Sequence, residues 1–298
     1  MALEATAVRG VIPALVTPFN DYGGVDTEGV GRLVEHTLAG GAHGVLVTGG
    51  AGEFVHLSRG ERLMVTEAAV EAAAGRAPVY AGTAAESTEE TLALTRDAAK
   101  AGADAAIIVA PFYFGLPQDA LAGHYEEIAR RGRLPVVVYN DPLHTGNNLA
   151  PATLARLAGV EGIVGLKQSN ADLGQFVETI RLAGDRFAVL TGIDSQFYPA
   201  LCTGARGIFS TAACVIPRQV VEIYDAFRAG DHERARALHL RLQALGRFLE
   251  YDPGPAAPCK EALALLGLPG GPVRRPLPGL TPEERDRVRA ALVELGML

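Results

Sequence analysis

The run Gly162-Ile163-Val164-Gly165-Leu166-Lys167 carries an apolar strand pattern straight into a lysine. Apolar runs without alternation suit parallel strands that are covered on both faces. An ammonium group is costly there, and desolvation favours the neutral amine, the form that attacks ketones. Lys167 is therefore the candidate Schiff-base nucleophile. The alternative is a lysine just past the strand end, reaching water or a carboxylate. With regular alternation, Lys167 shares a face with Gly165 and Ile163. One strand earlier, Tyr139 follows Val137 by two positions and falls on its face. Lysine and tyrosine then stand one βα unit apart and can meet at one end of a barrel. A tyrosine beside an imine-forming lysine can shuttle protons during carbinolamine formation and carbon–carbon cleavage. Read alone, a tyrosine at a strand end is packing.

Other strand ends add to this pair. The second strand runs into Thr48-Gly49-Gly50-Ala51-Gly52-Glu53, a turn whose backbone N–H groups can approach an anion closely. It lacks the lysine of a phosphate loop, so a carboxylate is the fitting guest; a plain tight βα turn is the alternative. The fourth strand leads into Pro111-Phe112-Tyr113, and the seventh into Gly192-Ile193-Asp194. Asp194 can also be read as a helix cap before Ser195.

The elements that must position these residues follow a repeated pattern of helix, glycine turn and apolar run. It appears at Gly41-Ala42-His43-Gly44, Gly102-Ala103-Asp104 and Gly204-Ala205-Arg206-Gly207. Glycine suits the left-handed residue that closes a helix. Strands are predicted around 11–16, 44–48, 78–82, 105–110, 135–140, 162–167, 187–191 and 206–210. Ser58 with Glu61, and Ser87-Thr88 near Glu90, mark helix starts, and Pro151 suits a first turn. Eight alternations predict an α/β fold, a (β/α)8 TIM barrel whose reactive residues project from the C-terminal strand ends. A doubly wound sheet is the runner-up, but no GxGxxG follows the first strand. The expected division is a catalytic barrel over 1–228 and a C-terminal helical region over 229–298. In the latter, Leu238, Leu242, Leu245 and Leu249 form one apolar stripe, a loop is expected around 252–258, and a short helix at 259–266. Thr281-Pro282-Glu283-Glu284 starts a last helix.

Composition narrows the partners. A net charge of −7 argues against nucleic acid, and no Lys/Arg-rich block or long apolar run suggests a membrane. Cys202, Cys214 and Cys259 are too few and too scattered for a disulfide framework or a zinc pattern, and the histidines form no HExxH. No metal site is expected. Met1-Ala2-Leu3-Glu4 lacks the features of a secretory signal, so the expected compartment is the cytoplasm.

Tyr139-Asn140-Asp141-Pro142 followed by Gly165-Leu166-Lys167 resembles the dihydrodipicolinate synthase/N-acetylneuraminate lyase family, with its YNxP tyrosine and G-[IVL]-K lysine. The resemblance covers almost the whole chain. Ile12-Pro13-Ala14-Leu15-Val16-Thr17-Pro18-Phe19 is similar to the family's first strand, and residues 49–53 stand where members carry G-[ST]-[ST]-G-E. The segment 204–210, with Phe209, resembles its eighth strand. Pro258-Cys259-Lys260 and Val273-Arg274-Arg275-Pro276-Leu277 resemble its helical tail.

The resemblance implies a Schiff base between Lys167 and a 2-oxo acid such as pyruvate, with Tyr139 relaying protons. It implies that backbone around Gly50 and Ala51 holds the substrate carboxylate, and that Tyr113 crosses a subunit contact in a homo-oligomer, a tetramer. Phe209, His144, Gly192 and Asp194 complete the expected binding set. The departures are specific. Gly50 and Ala51 replace both hydroxyl residues, so the family's tyrosine–hydroxyl–tyrosine relay lacks its middle member. The Gly-Gly-x-Gly-Glu-Phe form resembles 5-dehydro-4-deoxyglucarate dehydratases, although Tyr139-Asn140-Asp141-Pro142 is not their strand-five form. His144 stands where dihydrodipicolinate synthases place an arginine, and imidazole cannot reproduce a bidentate guanidinium clamp. Gly192-Ile193-Asp194 resembles the sugar-acid lyases, in which the aspartate contacts a substrate hydroxyl; Ser195 replaces their following glutamate.

The expected function is a cofactor-free lyase that cleaves a 2-keto-3-deoxy or hydroxy-2-oxo acid to pyruvate and an aldehyde. Dehydration through the same imine comes second, condensation in the manner of dihydrodipicolinate synthase third. A non-catalytic 2-oxo-acid-binding barrel is the alternative from another class.

Overall fold

The computed structural model describes residues 3–250 and 254–298. Met1 and Ala2, and the start of the loop expected around 252–258, lie outside the described residues. The eight strands are β1 (Gly10–Pro13), β2 (Val45–Val47), β3 (Val79–Gly82), β4 (Ala105–Val109), β5 (Val136–Asn140), β6 (Ile163–Gln168), β7 (Ala188–Thr191) and β8 (Gly207–Ser210). Each lies within its expected segment or overruns it by one residue. The strand order is β1-β8-β7-β6-β5-β4-β3-β2. A parallel bridge from Ala14 to Leu46 links the segment after β1 to β2. Helices alternate with the strands, as in a (β/α)8 barrel, and a C-terminal helical extension follows.

The chain divides into two compact units, Met1–Gly10 with Tyr80–Phe209, and Val11–Val79 with Ser210–Leu298. In the first unit, β4 to β7 are buried along their length except at half-buried Tyr139. That explains why their sequences show no alternation. Gly102 and Gly204 take φ values of +90° and +104° at the expected turns, where any side chain would be strained. Tyr139 pairs in register with Lys167, and Lys167 with Leu190. The β5–β6 register shifts between Val136 and Val137, so Val136 faces Ile163 but Val137 faces Gly165. β6 also continues one residue past the lysine, to Gln168. Lys167 is thus a strand residue and not a residue beyond the end.

In the second unit, α1 (Thr27–Ala39) and α2 (Arg59–Ala73) follow the first two strands. Ser58 and Glu61 form the expected capping box. Downstream, the helix His232–Leu249 buries Leu242, Leu245 and Leu249 together with Ala235 and His239, while Leu238 is half-buried. The next helix, Ala256–Leu265, begins inside the stretch expected as loop. Pro258 sits in its first turn, where a missing N–H sacrifices no helical bond, so the prolines there start a helix as well as break one. Thr281 and Glu284 box the last helix, Pro282–Glu294. Among the described residues, no helix is long and apolar enough to cross a membrane.

Candidate active site

Lys167 is 6% exposed, and its Nζ lies 4.1 Å from the centroid of the Tyr139 ring. Burial lowers its pKa from the ordinary 10.5 to about 8, against the attraction of Asp141 and Asp194. At neutral pH roughly one molecule in ten then carries the free amine, against fewer than one in a thousand for an unperturbed lysine. The environment therefore does what the chemistry of a nucleophilic amine requires. Asp194, also buried, opens the turn Asp194–Gln196 after β7.

Gly192 is fixed by this lysine. A Cβ at that position would lie 2.6 Å from the Lys167 Cε and 2.1 Å from the Ser169 Oγ. Only a bare backbone lets the lysine stem pass, so Gly192 shapes the lysine channel through space rather than through any group of its own.

The Tyr139 phenol donates to Asp141 Oδ2 at 2.8 Å. Burial pushes its pKa well above 10, and the Asp141 charge and hydrogen bond push it further. Both Asp141 carboxylate oxygens in turn lie 2.9 Å from the His144 Nδ1. Burial alone would raise the Asp141 pKa, but the hydrogen bond and charge of His144, the Tyr139 hydrogen bond and the Lys167 charge together hold the group below its ordinary value. Asp141 is buried, whereas the His144 side chain is 54% exposed at the short helix Pro142–Thr145. The structure thus joins Lys167, Tyr139, Asp141 and His144 into one group.

Asp141 was not assigned a role from the sequence. An available signal was the Asp-Pro-x-His spacing, which puts carboxylate and imidazole on one side of a first helical turn. Ser169, just beyond β6, was also missed. Its hydroxyl is buried without a hydrogen-bond partner of good geometry, yet it lies near enough to the Tyr139 phenol to favour ionisation slightly. Asn140 serves the frame. It is fully buried, donates to Gln168 Oε1 at 2.8 Å and to Asn148 Oδ1 at 3.0 Å, and accepts from the Leu149 N–H at 2.9 Å. These bonds lock the ends of β5 and β6 together, which keeps tyrosine and lysine aligned.

Two further expected residues lie on the loop after β4 and on β8. Tyr113 is 85% exposed on the loop after β4, at φ +78°, with its ring edge-on to Phe114. Phe209 is buried on β8, and its ring meets Tyr80 edge-on.

In the second unit, the turn carrying Gly50 and Ala51 is held by its carboxylate. Glu53 adopts a left-handed backbone at φ +56° and is buried. It forms an ion pair with Lys260 at 2.6 Å, and its Oε2 accepts from the Arg274 backbone N–H at 2.8 Å. Lys260 also donates to the Pro272 carbonyl at 2.7 Å, and both cations lie over the Phe19 ring. The Thr48 hydroxyl donates to the Val47 carbonyl at 2.7 Å. A Cβ at Gly50 would meet open space, whereas Gly52 is hemmed in by backbone atoms 3.2–3.3 Å away. Breaking a buried ion pair from one side strands the other charge. Lys260→Ala should therefore lower stability by about 3–5 kcal/mol. The check is the urea midpoint at unchanged slope; a midpoint equal to wild type would show that Glu53 does not depend on this cation.

Comparison with known proteins places this geometry. The profile of the Dihydrodipicolinate synthetase family matches residues 7–295. A 4-hydroxy-tetrahydrodipicolinate synthase of Methanospirillum hungatei is 39% identical over 287 residues, covering 95% of this chain and 98% of that protein. The structure of a monomeric dihydrodipicolinate synthase variant superposes with a TM-score of 0.95 at 35% identity, covering 98% of each chain. A dihydrodipicolinate synthase of Acinetobacter baumannii, solved with pyruvate, gives 0.92 at 34% identity over 98% of this chain and 100% of that one. With its lysine and tyrosine side by side on β6 and β5, the chain is a lyase and belongs to the dihydrodipicolinate synthase family of Schiff-base-forming, pyruvate-dependent aldolases.

Proposed function

We propose that Lys167 forms an imine with the keto carbon of pyruvate or of a 2-oxo acid built on it. The buried amine packed on the Tyr139 ring carries this reading. The amine adds to the carbonyl, Tyr139 protonates the departing hydroxyl, and the imine withdraws electrons from C3. An enamine can then form, or a C3–C4 bond can break. Gly50 and Ala51 are the proposed carboxylate seat, and Tyr113 the proposed contribution to a neighbouring subunit. Its exposure together with that of Phe114 and Leu143 supports a homo-oligomer, and the cytoplasm is the proposed compartment.

The ranking of reactions changes from the one the sequence suggested. The relatives' names favour condensation as in 4-hydroxy-tetrahydrodipicolinate synthase over retro-aldol cleavage, and condensation becomes the first reading. Cleavage of a hydroxylated 2-oxo acid is retained for one observation: the side chain in the family's arginine position, His144, is engaged with Asp141. Steady-state kinetics with pyruvate plus aspartate semialdehyde, set against a panel of 2-keto-3-deoxy acids, decides between them. The expected result is a higher kcat/KM for the condensation. A keto-deoxy acid that outperforms it, with selective loss in Asp194→Ala, would restore the cleavage reading. No turnover on any member would leave a 2-oxo-acid-binding barrel.

A further inference from the structure

We propose that Asp141 and His144 form the path by which Tyr139 recovers its proton from solvent. The proposal rests on the imine reading above. Positions 50 and 51 offer a hydrogen and a methyl group, so neither carries a side-chain hydroxyl. The phenol bonds within its own segment. Tyr139 donates to Asp141 at 2.8 Å, and Asp141 meets the His144 Nδ1 at 2.9 Å. The series passes from half-buried Tyr139 through a carboxylate 6% exposed to a side chain 54% exposed, so it ends at water. Histidine is also the side chain that exchanges protons near neutrality.

The step balances as follows. Tyr139 gives its phenolic proton to the carbinolamine hydroxyl, the C–O bond breaks, water leaves, and the nitrogen lone pair completes the C=N bond. The imidazolium of His144 then delivers its Nδ1 proton to Asp141 Oδ2, 2.9 Å away, and the tyrosinate takes that proton from the same oxygen. Solvent reprotonates the imidazole. The charged groups that face this path are Lys167 on β6, which attracts Asp141, and Asp194 after β7, which acts on Lys167. Asp141 and His144 act through Tyr139 and are positioning residues.

The test follows deuterium exchange of the pyruvate methyl group by NMR, which requires repeated imine formation and release. His144→Ala, at a half-exposed position, should slow exchange by ~10- to 100-fold and regain rate when imidazole is added. Asp141→Asn should be slowed as much and gain nothing from imidazole. Exchange at the wild-type rate in His144→Ala, or slow exchange that imidazole does not rescue, overturns the path. Borohydride trapping of pyruvate on the wild-type enzyme separates the two levels. An adduct at Lys167 with an unaltered His144→Ala sinks only the path, whereas no adduct sinks the imine reading and the path with it.

Discussion

Replacing Lys167 by alanine should abolish the pyruvate adduct and lower turnover by about 10⁴-fold or more, the scale seen when a covalent nucleophile is removed. No other group in the cluster can take its place. Tyr139 and Asp141 bear oxygen, and the His144 ring is held by its carboxylate partner. The same lysine sets a pH signature. Because burial brings its pKa to about 8, the free-amine fraction rises tenfold per pH unit below that value and levels off above it. The initial rate of imine formation should follow that curve. Borohydride reduction in the presence of pyruvate, followed by peptide mapping, checks the site. A mass shift at another lysine with Lys167 unmodified would falsify the mechanism.

Tyr139→Phe should lower turnover by ~100-fold or more, within the usual range for loss of an acid–base group. The ring that packs under the Lys167 amine stays, so the lysine keeps its place and the adduct should still form, only slowly. The deletion also leaves Asp141 without its phenol donor, although His144 still bonds both carboxylate oxygens. Melting temperature and single-turnover rate together separate folding from chemistry. Wild-type turnover in an assay limited by chemistry would assign the proton to another group or to water.

The parts legible in the sequence are those governed by local pattern. Strands buried on both faces announce themselves as short apolar runs, and the capping boxes at Ser58 and Thr281 are complete within four residues. The pairing of Tyr139 with Lys167 was legible because neighbouring parallel strands carry their C-terminal ends to the same edge. What stayed hidden depends on partners distant in sequence or on an irregularity. The register shift at Val136 leaves no mark in composition. The narrowness that demands Gly192 is set by the Lys167 stem and Ser169, which belong to another strand and its following loop. Asp141 reads as an ordinary residue between Asn140 and Pro142 until the short helix after it brings His144 back against it. The loop expected over 252–258 failed in part for a simpler reason. Proline stops a helix from within but is welcome in its first turn, and Pro258 occupies that place.

The burial of Glu53 bears on how far the helical tail can be treated as a module. Its carboxylate sits in a turn beside Gly50 and Ala51, yet both groups that satisfy it, the Lys260 ammonium and the Arg274 N–H, come from the last part of the chain. A truncation before residue 229 would remove no proposed substrate contact, and on paper would keep every strand. It would nevertheless leave an enclosed anion without its lysine, with the His56 ring 3.9 Å away, at a turn already held in a left-handed backbone. The tail is in this sense the keystone of the turn it follows by some two hundred residues in sequence. Tail exchanges between relatives should therefore carry the residue at 53 and its two partners as one heritable unit.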